Sequence, residues 1–128
     1  MPARVVDASA IAALIHAESG SEEIAESLAG ATLIAPALLP HELDSVCAKK
    51  IRGNPRDRRR LLEARALADE LGITLLELDH AGVIELALET GLTAYDSAYL
   101  WLALDRGVDV VTLDTRLARH AARAKTSR

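Results

Sequence analysis

A chain of 128 residues, 50% hydrophobic and 27% charged, has the balance of a single soluble globular domain, here residues 1–128, with a real core. It contains no Phe, one Trp and two Tyr, so the core must be aliphatic, and folds that stack bases on exposed aromatics are excluded. The formal net charge of −4 disfavours indiscriminate polyanion binding, and RNA contact, if any, must run through backbone and charge.

Residues 3–6 are a short apolar run that ends at Asp7, and Ser9 follows as the expected N-cap of a helix through Ile11, Leu14 and Ile15. Ser21, Glu22 and Glu23 open a second helix, because a hydroxyl and two acids suit the positive end of a helix dipole; Gly30 stops it. Residues 32–35 read as a strand whose ladder Pro36 ends, and Pro40 can start a helix carrying His41, Glu42, Leu43, Val46 and Ile51. After the break at Gly53, Asn54 and Pro55, residues 58–71 have helical periodicity closed by Gly72. Residues 73–78 form a strand, and Asp79 caps a helix that Gly91 terminates. Thr93 caps the next helix, with Asp96 in its first turn and Gly107 at its end. A strand over 108–113 then exits at Asp114 into a helix over 115–124. This βααβααβαα order, with one more β and α, predicts a parallel sheet of four or five strands in a three-layer α/β/α sandwich.

Four acids, Asp7, Glu42, Asp96 and Asp114, stand at strand exits or in the first turns of helices. Parallel sheets gather their ligands outside the carboxyl ends of their strands, so these distant residues can converge. Clustered carboxylates resist joint ionisation unless a cation compensates, and hard divalent ions prefer such oxygens. Ser9, Ser97, Thr112 and Thr115 beside them can orient carboxylates. Alone, each acid is an ordinary cap or surface residue; the set points to a metal.

Several chemistries lack their parts. His16, His41, His80 and His120 are scattered without zinc spacing and suit surface or cap positions, and the Gly-rich phosphate loops GxxxxGK[ST] and GxGxxG are absent. No Lys lies between Lys50 and Lys125 to serve a phosphoacceptor site, and the first strand exit reads D-A-S rather than DxD. Cys47, the single cysteine, has no base partner, forms no internal disulfide, and points to a buried side chain in a reducing cytoplasm. No apolar run reaches the roughly 18 residues of a membrane span. No secretory leader is expected. Tyr95, Tyr99 and Trp101 read as packing residues. From Lys49 to Arg60, seven basic residues accompany one acid, and the segment reads equally as a solvated helix surface or as an RNA-facing patch.

The segments VVDASA, LPHELDSV, LTAYDSAYLWLA and VVTLD together resemble the PIN-domain ribonucleases, in the short form of a VapC-type toxin. The resemblance covers nearly the whole chain and implies an endoribonuclease dependent on Mg²⁺ or Mn²⁺, which hydrolyses RNA phosphodiesters by metal-activated water. Asp7, Glu42, Asp96 and Asp114 would bind metal, with Ser9 and Thr112 supporting them and Arg56, Arg58, Arg59 and Arg60 steering RNA. It also implies a small antitoxin that can place an Arg among the acids, and a homodimer for which the apolar residues of the early helices are the expected surface. Two departures stand out. Where many such proteins end in one more apolar strand, this sequence finishes in the polar ARAKTSR, so that final edge strand is expected to be missing, and Asp44, two residues after Glu42, should point away from the same helix face. Two other readings use the same residues: a non-catalytic α/β interaction module, and a metal-dependent phosphatase or DNA nuclease.

Overall fold

Short segments rich in Val, Ile and Leu pair in parallel to form the sheet of the computed structural model, which describes residues 2–126. β1 (Ala3–Val6), β2 (Thr32–Pro36), β3 (Thr74–Leu76) and β4 (Asp109–Val111) stand in the order β3-β2-β1-β4. β1 is central: Val5 pairs with Ile34 on one side and Val110 on the other, and Val5 and Val6 are fully buried. Between and after the strands lie α1 (Ala8–Ile15), α2 (Ser21–Leu28), α3 (Leu39–Gly53), α4 (Arg58–Leu67), α5 (His80–Thr90), α6 (Ala94–Arg106) and α7 (Thr115–Thr126). The α/β class, the parallel sheet and the element order agree with expectation, with four strands among the described residues. None of the described helices is long and apolar enough to cross a membrane.

The chain runs from β1 outward through β2 to β3, then returns to place β4 on the other side of β1. That reversal puts the switch point between β1 and β4, the place at which open parallel sheets characteristically bind ligands. α6 packs on β1, β2 and β4, and brings its N-terminal turn to the same end of the sheet. Gly107 closes α6 in the left-handed conformation, at φ +65°, where a side chain would be strained.

Several local expectations shift. Asp7, not Ser9, is the N-cap of α1, because β1 ends at Val6 and the helix already begins at Ala8; the Asp7 carboxylate accepts from the Ala10 N–H at 3.0 Å. Pro36 is paired, opposite Leu76, as the last residue of β2. α3 starts at Leu39, one residue before Pro40. α4 ends at Leu67 and tightens into a 3-10 turn over Ala68–Glu70. β3 and β4 each keep only three residues, since an edge strand is extended only as far as its one neighbour pairs with it. Asp79 precedes α5 without a side-chain cap bond.

The expected dimer surface is also corrected. Ile11, Ile15, Ile24 and Leu28 of the early helices are buried in the core, whereas exposed apolar side chains lie at Leu62 and Leu67 of α4 and Ile84 and Leu88 of α5. Of the polar ending, residues up to Thr126 continue α7, and 127–128 lie outside the described residues. Cys47 is buried, as expected. Ile11 has no exposed surface at the centre of this core, so Ile11→Ala should lower the free energy of unfolding by about 2–5 kcal/mol in urea titrations.

Candidate active site

Asp7 sits at the exit of β1 with 4% of its surface exposed. A buried carboxylate must be hydrogen-bonded, and three donors converge on it. The Ser9 hydroxyl and the Ala10 N–H reach Oδ1 at 2.8 and 3.0 Å, and the Thr112 hydroxyl donates to Oδ2. Both hydroxyls also accept: Ser9 from the Leu113 N–H and Thr112 from the Asp114 N–H, each at 2.9 Å. With both protons committed to Asp7, the 3.3 Å approach of Ser9 Oγ to Thr112 Oγ1 is a contact rather than a bond. These bonds tie the exit of β1 to the exit of β4. Asp114 then caps α7, its Oδ1 accepting from the Leu117 N–H at 2.9 Å.

Glu42 comes from the first turn of α3 and accepts from the Tyr99 hydroxyl at 2.6 Å. Tyr99, 1% exposed, reaches it from α6 through the core. Asp96, in the first turn of α6, is held at its backbone, where its N–H donates to Thr93 Oγ1 at 3.1 Å. Asp44, by contrast, faces away and pairs with Arg65 at 2.8 Å.

The four acids feel one another. Burial raises the Asp7 carboxyl above its ordinary value; bonds from Thr112, Ala10 and Ser9 pull it back, and the charge of Asp114 pushes it further up. Burial likewise raises Glu42, against the Tyr99 bond and with the charges of Asp7 and Asp96. Asp96 is raised by burial and then by Asp114 and Asp7, with Thr93 and Arg116 opposing. The Tyr99 phenol is pushed well up by burial and by the Glu42 carboxylate. Asp7 and Asp96 therefore lie within electrostatic reach of each other, of Glu42 and of Asp114, although the four segments are distant in sequence.

A family model described as the PIN domain matches residues 4–123. The chain belongs to the PIN domain family. Among solved structures it is similar to the crystal structure of PAE2754 from Pyrobaculum aerophilum, with a TM-score of 0.73 and 22% identity, covering 99% of this chain and 97% of that one. At that identity the likeness is one of fold. No curated protein matches the sequence significantly. PIN domains are generally metal-dependent nucleases, so the acids of this PIN domain must be asked whether they suit a divalent ion.

Their chemistry does. All four offer hard oxygens, three have pKa values raised partly by their neighbours' charge, and Lys50, Arg60 and Arg65 pair with other acids. Among the described residues no three acids already close round one point as a protein cage.

Other expected residues fall elsewhere. Arg56, Arg58, Arg59 and Arg60 are exposed around the start of α4; Arg59 pairs with Glu63 and Arg60 with Asp57, and none is among the charges that shift Asp7, Glu42 or Asp96. The cation that does act is Arg116, in the first turn of α7, whose guanidinium also donates to the Gly91 carbonyl at 3.2 Å. Sequence reasoning missed Arg116, and it missed the Tyr99 bond. Only the i, i+3 spacing of Asp96 and Tyr99 could have hinted at the latter. Trp101 packs as expected, so closely on α5 that a Cβ at Gly82 would meet its indole nitrogen at 2.6 Å. Tyr95 does not pack: it is 63% exposed. A groove of about 470 Å³ along β4 and α7 includes none of the four acids; a cleft of about 430 Å³ includes Glu42 and Tyr95. Because charge pairing and hydrogen bonding identify the site, the second is the relevant hollow.

Two outcomes follow from the acids' surroundings. A carboxyl raised on folding contributes stability that is full below its unfolded pKa and is lost as pH rises through its folded pKa. Asp96→Asn should therefore melt above the wild type in EDTA at pH 7.5, and this advantage should vanish as pH falls toward about 4. Tyr99→Phe, which leaves Glu42 without its donor, should cost about 1–3 kcal/mol in chemical denaturation.

Proposed function

We propose that this PIN domain is an endoribonuclease dependent on Mg²⁺ or Mn²⁺, acting in the cytoplasm as the toxin of a VapC-type toxin–antitoxin pair. The observation that carries the nuclease reading is the convergence of Asp7 and Asp96, each in electrostatic reach of the other, of Glu42 and of Asp114, at the switch point of the sheet. These four would hold the metal, which when bound supplies positive charge for the phosphate and an activated water.

The chain's own residues do the positioning. Ser9, Ala10 and Thr112 take three of the roughly four acceptor sites of Asp7 and fix its plane. Tyr99 fixes Glu42, and the first turns of α6 and α7 fix Asp96 and Asp114. Held apart from Lys and Arg partners, the acids keep their charge for a ligand rather than for an internal ion pair. Exposed Arg56, Arg58, Arg59 and Arg60 would steer RNA, which makes binding salt-dependent.

The toxin reading rests on the likeness of the four sequence segments to VapC-type proteins. It brings with it a small antitoxin whose Arg would compensate the acids, and a homodimer for which Ile84 and Leu88 offer apolar surface. Asp7→Asn and Asp96→Asn should fold yet lose RNA cleavage, each by at least the roughly 100-fold that even outer-shell losses can cost at metal sites. Mn²⁺ should raise the melting midpoint of the wild type and not of Asp7→Asn. Full cleavage of single-stranded RNA by either variant would end the nuclease reading.

A further inference from the structure

The cleft of about 430 Å³ beside Glu42 lies between α3 and the start of α6. Leu38, Val46 and Ala8 give it an apolar lining, exposed His41 and Tyr95 also line it, and Glu42 joins it to the acid cluster. Tyr95 is the one aromatic side chain of the protein left largely in solvent: Tyr99 is 1% exposed and Trp101 is half-buried against α5. An exposed phenol ring immediately before Asp96 needs an account that packing does not supply.

Charge decides what can enter. No Lys or Arg lines the cleft, and the carboxylate in its lining, Glu42, lies within electrostatic reach of Asp7 and Asp96. A phosphate would be repelled there. A neutral, flat group with a π-face would not, and the volume is within the range of small-ligand pockets. We propose that this cleft is a subsite for one unpaired nucleobase of the RNA, with Tyr95 as its stacking platform. The inference rests on the nuclease reading and adds to it how one base of the strand is seated; that base must be unpaired, because a base within an A-form duplex is stacked and paired and cannot be splayed onto a side chain. It also amends the expectation that RNA contact runs through backbone and charge alone. His41, exposed in the same lining, would be available to the edge of that base.

The test measures binding and cleavage separately. Fluorescein-labelled single-stranded RNA of mixed sequence, and the same strand with abasic residues, are titrated by anisotropy in Ca²⁺ with wild type, Tyr95→Ala and Tyr95→Phe. Melting midpoints confirm that the variants fold, as the exposure of Tyr95 predicts. Tyr95→Ala should bind the complete strand about 5- to 150-fold more weakly, the range reported for loss of one stacked base, and Tyr95→Phe should stay within about twofold of wild type. The abasic strand should bind the wild type as weakly as the complete strand binds Tyr95→Ala, with no further loss in that variant. Equal binding by wild type and Tyr95→Ala, or no penalty for abasic RNA, overturns the subsite, as does failure of the wild type to bind RNA at all. Cleavage in Mn²⁺ keeps the two readings apart. Intact cleavage with Tyr95→Ala unchanged leaves the nuclease and removes the subsite; the expected binding pattern without cleavage does the reverse.

Discussion

A carboxylate placed almost wholly out of water at the end of the central strand governs the architecture of this end of the molecule. Asp7 is tolerable there only because a backbone amide and two hydroxyls satisfy it. Those donors belong to the first turn of α1 and to the residues leaving β4, so satisfying the acid also joins the two strands that flank the switch point. Fold and site share the same few bonds. The Ser9 and Thr112 hydroxyls each donate to Asp7 and accept a β4-side amide, which leaves neither of them free to rotate toward another partner.

Charge is the quantity this arrangement leaves unbalanced. Three of the four acids are raised by burial first and by neighbouring acids second, and Arg116 is a cation that opposes this at Asp96. Elsewhere the protein neutralises its acids in the ordinary way, as where Arg65, mostly buried, holds both Asp44 and Asp69. The contrast between paired acids on α3 and α4 and unpaired acids at the sheet end separates surface solvation from a place where a cation belongs. PIN domains, generally metal-dependent nucleases, use such a place.

The sequence displayed this end of the fold because strand exits and first turns of helices are local events: an apolar run followed by an acid marks Asp7 and Asp114, and a helix start marks Glu42 and Asp96. The cap of α1 was misassigned for the same local reason, since Asp7 and Ser9 are equally good caps and only the pairing of β1 decides between them. Strand lengths were overestimated because apolar runs continue past the residues that find a partner. Tyr95 and Tyr99 show the limit most clearly. Four residues apart, they share one face of α6, yet one is 63% exposed and the other 1%. Periodicity assigns a face, but whether anything covers that face one turn from the helix end depends on where the sheet stops. The Tyr99 bond to Glu42, spanning 57 residues, was hidden for the same reason.

The indole of Trp101 is seated against Gly82, on the α5 side of α6. As the sole tryptophan in the chain, it makes intrinsic emission a gauge of one particular joint. Fluorescence-detected unfolding will follow the parting of α5 from α6. If that hairpin loosens before the sheet does, the optical transition will precede the one seen by circular dichroism, and the two curves will separate a local opening from global melting.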